Sequence, residues 1–382
     1  MNTDREVSRH YGGGNLLSRL NAALAEDGID PDHPSMEALA PYDHLHGRGL
    51  EATMEVANLV RVTASDHILD IGSGIGGPAR YFANRFGCRV TGIDLTPEFC
   101  DVARHLTHLL DLEDRITFEV GDALAMPCAD GSFDGAYSMN VSMNIADKSA
   151  FYREIHRVLK PGGWLALSEV AKGEGGELDY PTPWARSAST SFLSTPEETR
   201  RDLLGAGFDV IRLHGTREEA LAFGARSRAI VERGEKPPHR AVMLMHREIA
   251  TQAMANVSRG LSKARIIPIE VLARKPAQAS PGAERDHVQQ PHRADRRQAS
   301  ARIAGRYCAP GPAHSPPSTT RSPSPWMTSS SSAAALPASP PPCSSAVPAA
   351  RSPFSIPACR ATASLATRMA CSATITSHRW TS

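Results

Sequence analysis

Asp70 to Ala83 reads DIGSGIGGPARYFA. Gly72, Gly74 and Gly77 satisfy G-x-G-x-x-G. That spacing lets backbone N–H groups crowd against an anionic group at a helix N-terminus. The pattern alone fits NAD as well as any other adenosine compound, and the residues around it separate the two.

HILDI (67–71) just before the loop is a short apolar strand, and 77–86 behind it is helical in pattern. From there strands and helices alternate. RVTGID (89–94), ITFEV (116–120), FDGAYSM (133–139), WLALSEV (164–170), FDVIRLH (208–214) and IIPIEVLA (266–273) read as the further strands. Helices are expected at 14–25, 50–61, from Pro97 to about Leu110, over 148–159 and over 195–207. The last opens with Thr195 as N-cap, Pro196 at the first helical position and Glu198 three residues past the cap. Helical, charged sequence fills 216–262. The expected fold is therefore α/β, a Rossmann-like seven-stranded, mostly parallel sheet with helices on both faces. An N-terminal helical segment (1–62) precedes the main domain (63–276), and 216–262 forms a helical cap between strands six and seven.

From residue 277 the composition changes. The stretch 277–382 holds eleven Arg, no Lys and three acids, amid Pro, Ser, Ala and Thr. It lacks the apolar surface to offset its ordering entropy and reads as disordered. Arg without Lys is also what a GC-rich gene gives when translated in the wrong frame. The part before it is acidic, which disfavours nucleic acid as a partner. The charged start, MNTDREVSRHYGGG, does not read as a signal peptide, and no apolar run is long enough for a membrane span. Cys88, Cys100 and Cys128 form no C-x-x-C pair, so neither a metal site nor a disulfide framework is expected. A cytoplasmic location follows as the default, with a homo-oligomer contact as an alternative role for the cap.

Three acids sit at strand ends beside the glycine loop. Asp70 lies two residues before the first glycine, where an acid would repel a pyrophosphate but suits a ligand carrying an ammonium and a sulfonium. Asp94 ends the second strand, where a carboxylate can accept both hydroxyls of a ribose. Asp122, in GDA (121–123), ends the third and can accept from an adenine amino group. Each has a plainer alternative: local capping for Asp70, a solvated loop acid for Asp94, a turn residue for Asp122.

On these motifs the sequence resembles the class I S-adenosylmethionine-dependent methyltransferases over roughly 8–274. MNVSMNIADK (139–148), DYPTPWA (179–185), HYGGGNLLSRLNAAL (10–24) and LHGRGLEAT (45–53) look like a bacterial branch similar to sarcosine/dimethylglycine N-methyltransferases. The resemblance implies S-adenosyl-L-methionine as cofactor, no metal, and a last strand running antiparallel. It implies that Gly72 and Gly74 contact the methionine part, Asp94 the ribose, and Asp122 with Ala123 the adenine, with Leu95 a further cofactor-binding residue. Tyr11 belongs to a segment expected to fold over the cofactor, as a sulfonium neighbour or as lid packing. His46 matches a His of the branch, and either serves the reaction or packs. Asn140 stands where the branch has His, and is a catalytic candidate or a satisfied turn amide. Asn144 and Trp184 are expected at the substrate pocket, although a Trp beneath a lid is more often core. The expected reaction is methyl transfer to a small-molecule acceptor, first an amine such as sarcosine or dimethylglycine. The alternative is C- or O-methylation of a prenylated ring, sterol or other lipid-like molecule. A non-catalytic cofactor binder or adaptor is a third reading, disfavoured by the intact loop and its three acids.

Overall fold

The computed structural model describes residues 10–277 apart from residue 12. The expected tail therefore lies, but for its first residue, outside the described residues. Strand β1 (His67–Ile71) is an apolar run because both its faces are covered. Leu69 and Ile71 pack on one side with Phe133, Phe151, Ile155 and Leu165. Ile68 packs on the other with Val56, Phe82, Val90 and Trp164. The period-two alternation sends Asp70 to the same side as Ile68, opposite Tyr137 in the neighbouring strand.

The described residues form one seven-stranded sheet in the order β3-β2-β1-β4-β5-β7-β6. The other strands are β2 (Arg89–Asp94), β3 (Ile116–Val120), β4 (Phe133–Met139), β5 (Leu159–Lys172), β6 (Asp209–Gly215) and β7 (Ile266–Arg274). β7 runs antiparallel to both its neighbours and the remaining pairs are parallel, as expected. Chain order reverses between β1 and β4, so the cleft beyond their carboxyl ends is the natural ligand position.

The N-terminal segment contributes α1 (Leu16–Glu26), α2 (Met36–Asp43) and α3 (Leu50–Leu59). α1 buries Leu16, Leu20 and Leu24, four residues apart, against Phe99, Val102 and Leu106. α2 is absent from the sequence reading, and Pro41 lies inside it. It forms nevertheless: Ser35 caps it by accepting from Ala38 N at 3.2 Å, and the Pro41 carbonyl accepts from Arg240 N at 2.7 Å.

The core helices are α4 (Gly77–Phe86), α5 (Pro97–Leu109), α6 (Lys148–Val158) and α7 (Pro196–Gly205). α7 carries the expected capping box of Thr195 and Glu198. Between β6 and β7 the expected cap is two helices, α8 (Arg217–Glu232) and α9 (Ala241–Ser262), the second kinked at Arg247 with φ 27°.

Arg80, one turn into α4, is only 1% exposed. Its guanidinium donates to Asp43 Oδ2 at 2.9 Å, Ile75 O at 2.8 Å and Thr107 Oγ1 at 3.2 Å. Replacing Asp43 by Ala leaves this buried cation without its counter-charge, which costs about 3–5 kcal/mol. Urea unfolding of Asp43→Ala should show that loss; a change within experimental error would mean that the pair does not hold the segment in place.

Candidate active site

The loop leaving β1 folds back over β2. Gly72 N and Ser73 N donate to Ile93 O at 2.8 and 3.0 Å. Gly72 has φ 71°, and a Cβ there would lie 2.3 Å from Val141 Cγ2. The loops after β1 and β4 thus touch at a point where only glycine fits. One turn on, Gly74 N donates to Asp94 Oδ2 at 2.9 Å and Thr96 N to Asp94 Oδ1 at 2.8 Å. Both oxygens of Asp94 are held by backbone donors and keep further acceptor capacity beside the cavity that Asp94 lines. Burial pushes the Asp94 carboxyl upward, while these N–H bonds pull it down.

Asp70 is 2% exposed, and its Oδ2 makes no hydrogen bond of full geometry among the described residues. Burial pushes its carboxyl up to about 7, while the Tyr137 hydroxyl beside it pulls it down in part. Asp70 lines the cavity, where its carboxylate can accept from a donor or pair with a cation. Asp122 Oδ1 accepts from Leu124 N at 2.8 Å, which sets the turn after β3, and Leu95, Asp122 and Ala123 all line the cavity.

Above the loop lies the segment between α2 and α3. His46 is 5% exposed, and both its ring nitrogens are engaged: Nδ1 with Gly47 O at 3.2 Å and Nε2 with Thr53 Oγ1 at 3.0 Å. His44 Nδ1 lies 2.8 Å from the same Thr53 hydroxyl. Burial and the neighbouring His44 hold His46 well below the ordinary histidine range, so it is neutral. Asn140 follows β4 with φ 59°, a left-handed conformation that Asn tolerates better than most residues. Oriented so that both amide atoms find partners, it donates to Ser168 O at 3.1 Å and accepts from Gly47 N at 3.2 Å. Asn140 therefore staples the end of the sheet to the His46 segment.

Tyr11 reaches the same rim from the N-terminal side. Its hydroxyl donates to Asn144 Oδ1 at 3.0 Å, and burial raises its pKa. Asn144 Nδ2 donates to Trp184 O at 2.8 Å and Thr190 O at 3.1 Å. Asn144 is thus the joint between Tyr11 and the loop after β5. Trp184 is 4% exposed and packs with Met143, Leu261 and Ile266, while its indole N–H donates to Ser191 Oγ at 2.9 Å. Its ring is largely core even though the residue borders the cavity.

Glu169 is absent from the sequence reading. It is a buried acid in β5 that accepts from Val141 N, Ser142 N and Ser138 Oγ at 3.1–3.3 Å. It fastens the start of the Asn140–Asn144 loop. The available signal was a lone acid inside the apolar run WLALSEV, the same signal that marks Asp70. His239 and His246 are also absent from it; they enter the wall only because the cap folds over the cleft.

These residues bound a cavity of about 1240 Å³. Its floor is the glycine loop with Asp70, Asp94 and Asn140, and its roof is the cap, bearing Leu221, Phe223, Val242, Met243, Met254 and Leu261. The cap is pinned at the bend between α8 and α9. His239 Nε2 donates to His44 O at 2.9 Å, and Arg240 pairs with Asp27 at 2.5 Å, beside Lys236.

Residues 69–167 match the protein family described as "Methyltransferase domain". Methyltransferase GfsG of Streptomyces halstedii is 33% identical over 167 residues, covering 44% of this chain and 58% of that protein. An O-methyltransferase of Pyrenophora dematioidea is 31% identical over 160 residues, 42% of this chain and 60% of that one. The chain thus spans less than two thirds of the length of these curated relatives. Among solved structures, geranyl diphosphate C-methyltransferase from Streptomyces coelicolor A3(2) superposes with a TM-score of 0.53 at 16% identity, covering 72% of this chain and 98% of that one. Phosphoethanolamine N-methyltransferase 2 of Haemonchus contortus gives 0.52 at 21% identity, covering 61% and 55%. At these identities the superpositions speak for the fold. Residues 69–167 thus match a methyltransferase domain, set in a seven-stranded sheet with an antiparallel β7 and the glycine loop at the switch point.

Proposed function

We propose that this protein transfers the methyl group of S-adenosylmethionine to a bulky, largely apolar small molecule. The observation that carries the acceptor class is the cavity. A pocket for one drug-sized ligand runs to roughly 300–1,000 Å³. At about 1240 Å³, with a roof of aliphatic, aromatic and thioether side chains, this one accommodates a nucleoside cofactor and a second molecule of comparable bulk. A sarcosine-sized amine would leave most of that apolar wall facing water. The lipid-like alternative is therefore favoured over the small amine.

The residues present fit the cofactor. Asp70, which lines the cavity, offers a carboxylate as counter-charge for an ammonium. Asp94, oriented by Gly74 N and Thr96 N, retains acceptor capacity for two ribose hydroxyls, and the glycine loop leaves no Cβ in the way. When bound, S-adenosylmethionine supplies an electrophilic methyl carbon. The protein's part is alignment and exclusion of water. Asn140 holds the His46 segment against the end of the sheet, and Asn144 holds Tyr11 over the rim. His46 is neutral with both nitrogens engaged, so its part is to shape the wall through Thr53.

Asp94→Ala should weaken S-adenosylmethionine binding roughly a hundredfold or more, because two bonds to a charged acceptor are lost at about 1.5–3 kcal/mol each. Calorimetry giving an unchanged Kd would remove Asp94 from the site.

Asp70 makes a separate, pH-dependent prediction. The unfolded carboxyl ionises near pH 4, whereas the folded one keeps its proton up to about 7. Between those values folding takes up a proton, so stability falls as pH rises. Asp70→Asn abolishes this term. The stability advantage of Asp70→Asn over the wild type should grow between about pH 4 and pH 7. Adding S-adenosylmethionine at neutral pH should shrink the advantage, since only the carboxylate pairs with the ammonium. A difference that is flat with pH, or that ligand leaves unaltered, would refute the assignment.

Methyl transfer from labelled S-adenosylmethionine, run against pools of prenylated phenols, quinones, sterols and short amines, tests the acceptor class. Label is expected in the apolar pools; label in the amine pool alone would overturn the reading.

A further inference from the structure

α8 is sixteen residues long and none of them is buried. A helix of a folded domain normally buries an apolar stripe against its neighbours. α8 turns such residues to the cavity instead: Ala220, Leu221, Phe223 and Gly224, then Val231 after a turn carrying Ser227 and Arg228. On the facing helix, Met243 and Met254 line the same cavity. Val231 is 53% exposed, Met243 52% and Met254 42%, so this wall is unfilled by the chain itself. Arg228 and Glu232, a turn apart on α8, are the charged members of its cavity face and lie toward its outer end. Just beyond them comes the bend, where His239 and Arg240 fasten the cap to the N-terminal segment.

We propose that the space along α8 is a subsite for an elongated apolar tail of the acceptor, and that Val231 and Met243, beside the bend, limit its length. The proposal rests on the methyl-transfer reading above. Three features support a linear hydrocarbon chain, prenyl or alkyl, as the occupant. The surface is a mostly apolar strip along one helix, crossed by Ser227 and Arg228 before Val231. It is continuous with the cavity that begins at the glycine loop. It ends where charged residues and a pinned bend close it. Methionines on the opposing wall conform to chains of differing branching, because the thioether side chain is unbranched and flexible.

The test uses the full chain saturated with S-adenosylhomocysteine and a series of alkyl hydroquinones from hexyl to hexadecyl, with Kd measured by calorimetry. In the wild type, affinity should rise about fourfold per methylene and then level off once the tail reaches the bend. Val231→Trp and Met243→Trp should bring the plateau to shorter chains and weaken the longest members by roughly tenfold or more. Both positions are half-exposed, so the larger ring displaces no core packing. Leu204→Trp, an exposed α7 position outside the cavity wall, should leave the series unchanged. Hydrogen exchange supplies a second readout: long-chain members should protect the α8 amides, and hexyl hydroquinone much less. A chain-length series in the wild type that neither tryptophan shifts, with α8 unprotected, would overturn the subsite and leave the apolar acceptor standing. Binding with no dependence on chain length, in a protein that still takes up S-adenosylhomocysteine, would overturn the apolar-acceptor reading and the subsite with it.

Discussion

Arg80 and Asp43 form an ion pair that is almost wholly removed from water, and the arrangement of the site follows from it. Arg80 belongs to the helix behind the glycine loop, and Asp43 ends α2 in the N-terminal segment. The same guanidinium holds Ile75 O, inside the loop itself. A Cβ on Gly77 would lie 2.5 Å from Asp43 O, so the two pieces of backbone are in direct contact. One buried cation therefore sets the loop, the helix N-terminus and the segment that carries His44 and His46. Charges this deep are costly unless each is paired and hydrogen-bonded. Arg80 is paired with Asp43 and donates also to Ile75 and Thr107, while its Nε and Asp43 Oδ1 find no hydrogen-bond partner among the described residues. The N-terminal segment is consequently part of the site wall and not an appendage to the sheet.

The floor and roof of the cavity are built from opposite chemistry. Three acids, Asp70, Asp94 and Glu169, are buried around the floor, and burial raises all three carboxyls. Asp94 and Glu169 are relieved by backbone N–H donors, whereas Asp70 Oδ2 makes no hydrogen bond of full geometry among the described residues. The roof is lightly packed: α8 has no buried residue, although Ala220 and Leu221 pack against the cluster of Met143, Trp184 and Ile266. Ligand binding would supply both at once, a cationic group at the floor and a hydrocarbon at the roof. That also accounts for the pinning of the cap at its bend by His239, Arg240 and Lys236, since a roof with little packing of its own needs polar anchors.

Several side chains at the rim act through geometry. Asn140 occupies a left-handed backbone position and spans Ser168 O and Gly47 N, so it orders two loops that are far apart in sequence. Asn144 does the same for Tyr11, Trp184 and Thr190. In both cases an amide serves because it donates and accepts through adjacent atoms. An imidazole at 140, as in the resembling branch, offers one donor and one acceptor on opposite sides of a ring and could not make both contacts in the same way.

The sequence by itself determined what depends on near neighbours. The alternation of short apolar runs with helical stretches specified six of the seven strands to within a residue at each end, because strand and helix periodicity are local properties. The glycine spacing located the loop, and Thr195 with Glu198 located the start of α7, each through contacts within a few residues. Tertiary structure decided what depends on distant partners. α2 ends against the cap, where Arg240, about 200 residues away, donates to the Pro41 carbonyl in its last turn. β5 begins at Leu159, five residues before the expected start, because Leu159 pairs with Phe133 before the register shifts to Gly135 and Trp164. His46 was legible as a site residue, but the engagement of both its nitrogens depends on Thr53 and on how the segment folds back. Asp70 and Glu169 look alike in sequence, as acids in apolar strands. Only the fold gives one of them three donors and leaves an oxygen of the other without a hydrogen bond of full geometry among the described residues, because hydrogen-bond satisfaction is settled by neighbours that the linear order does not contain.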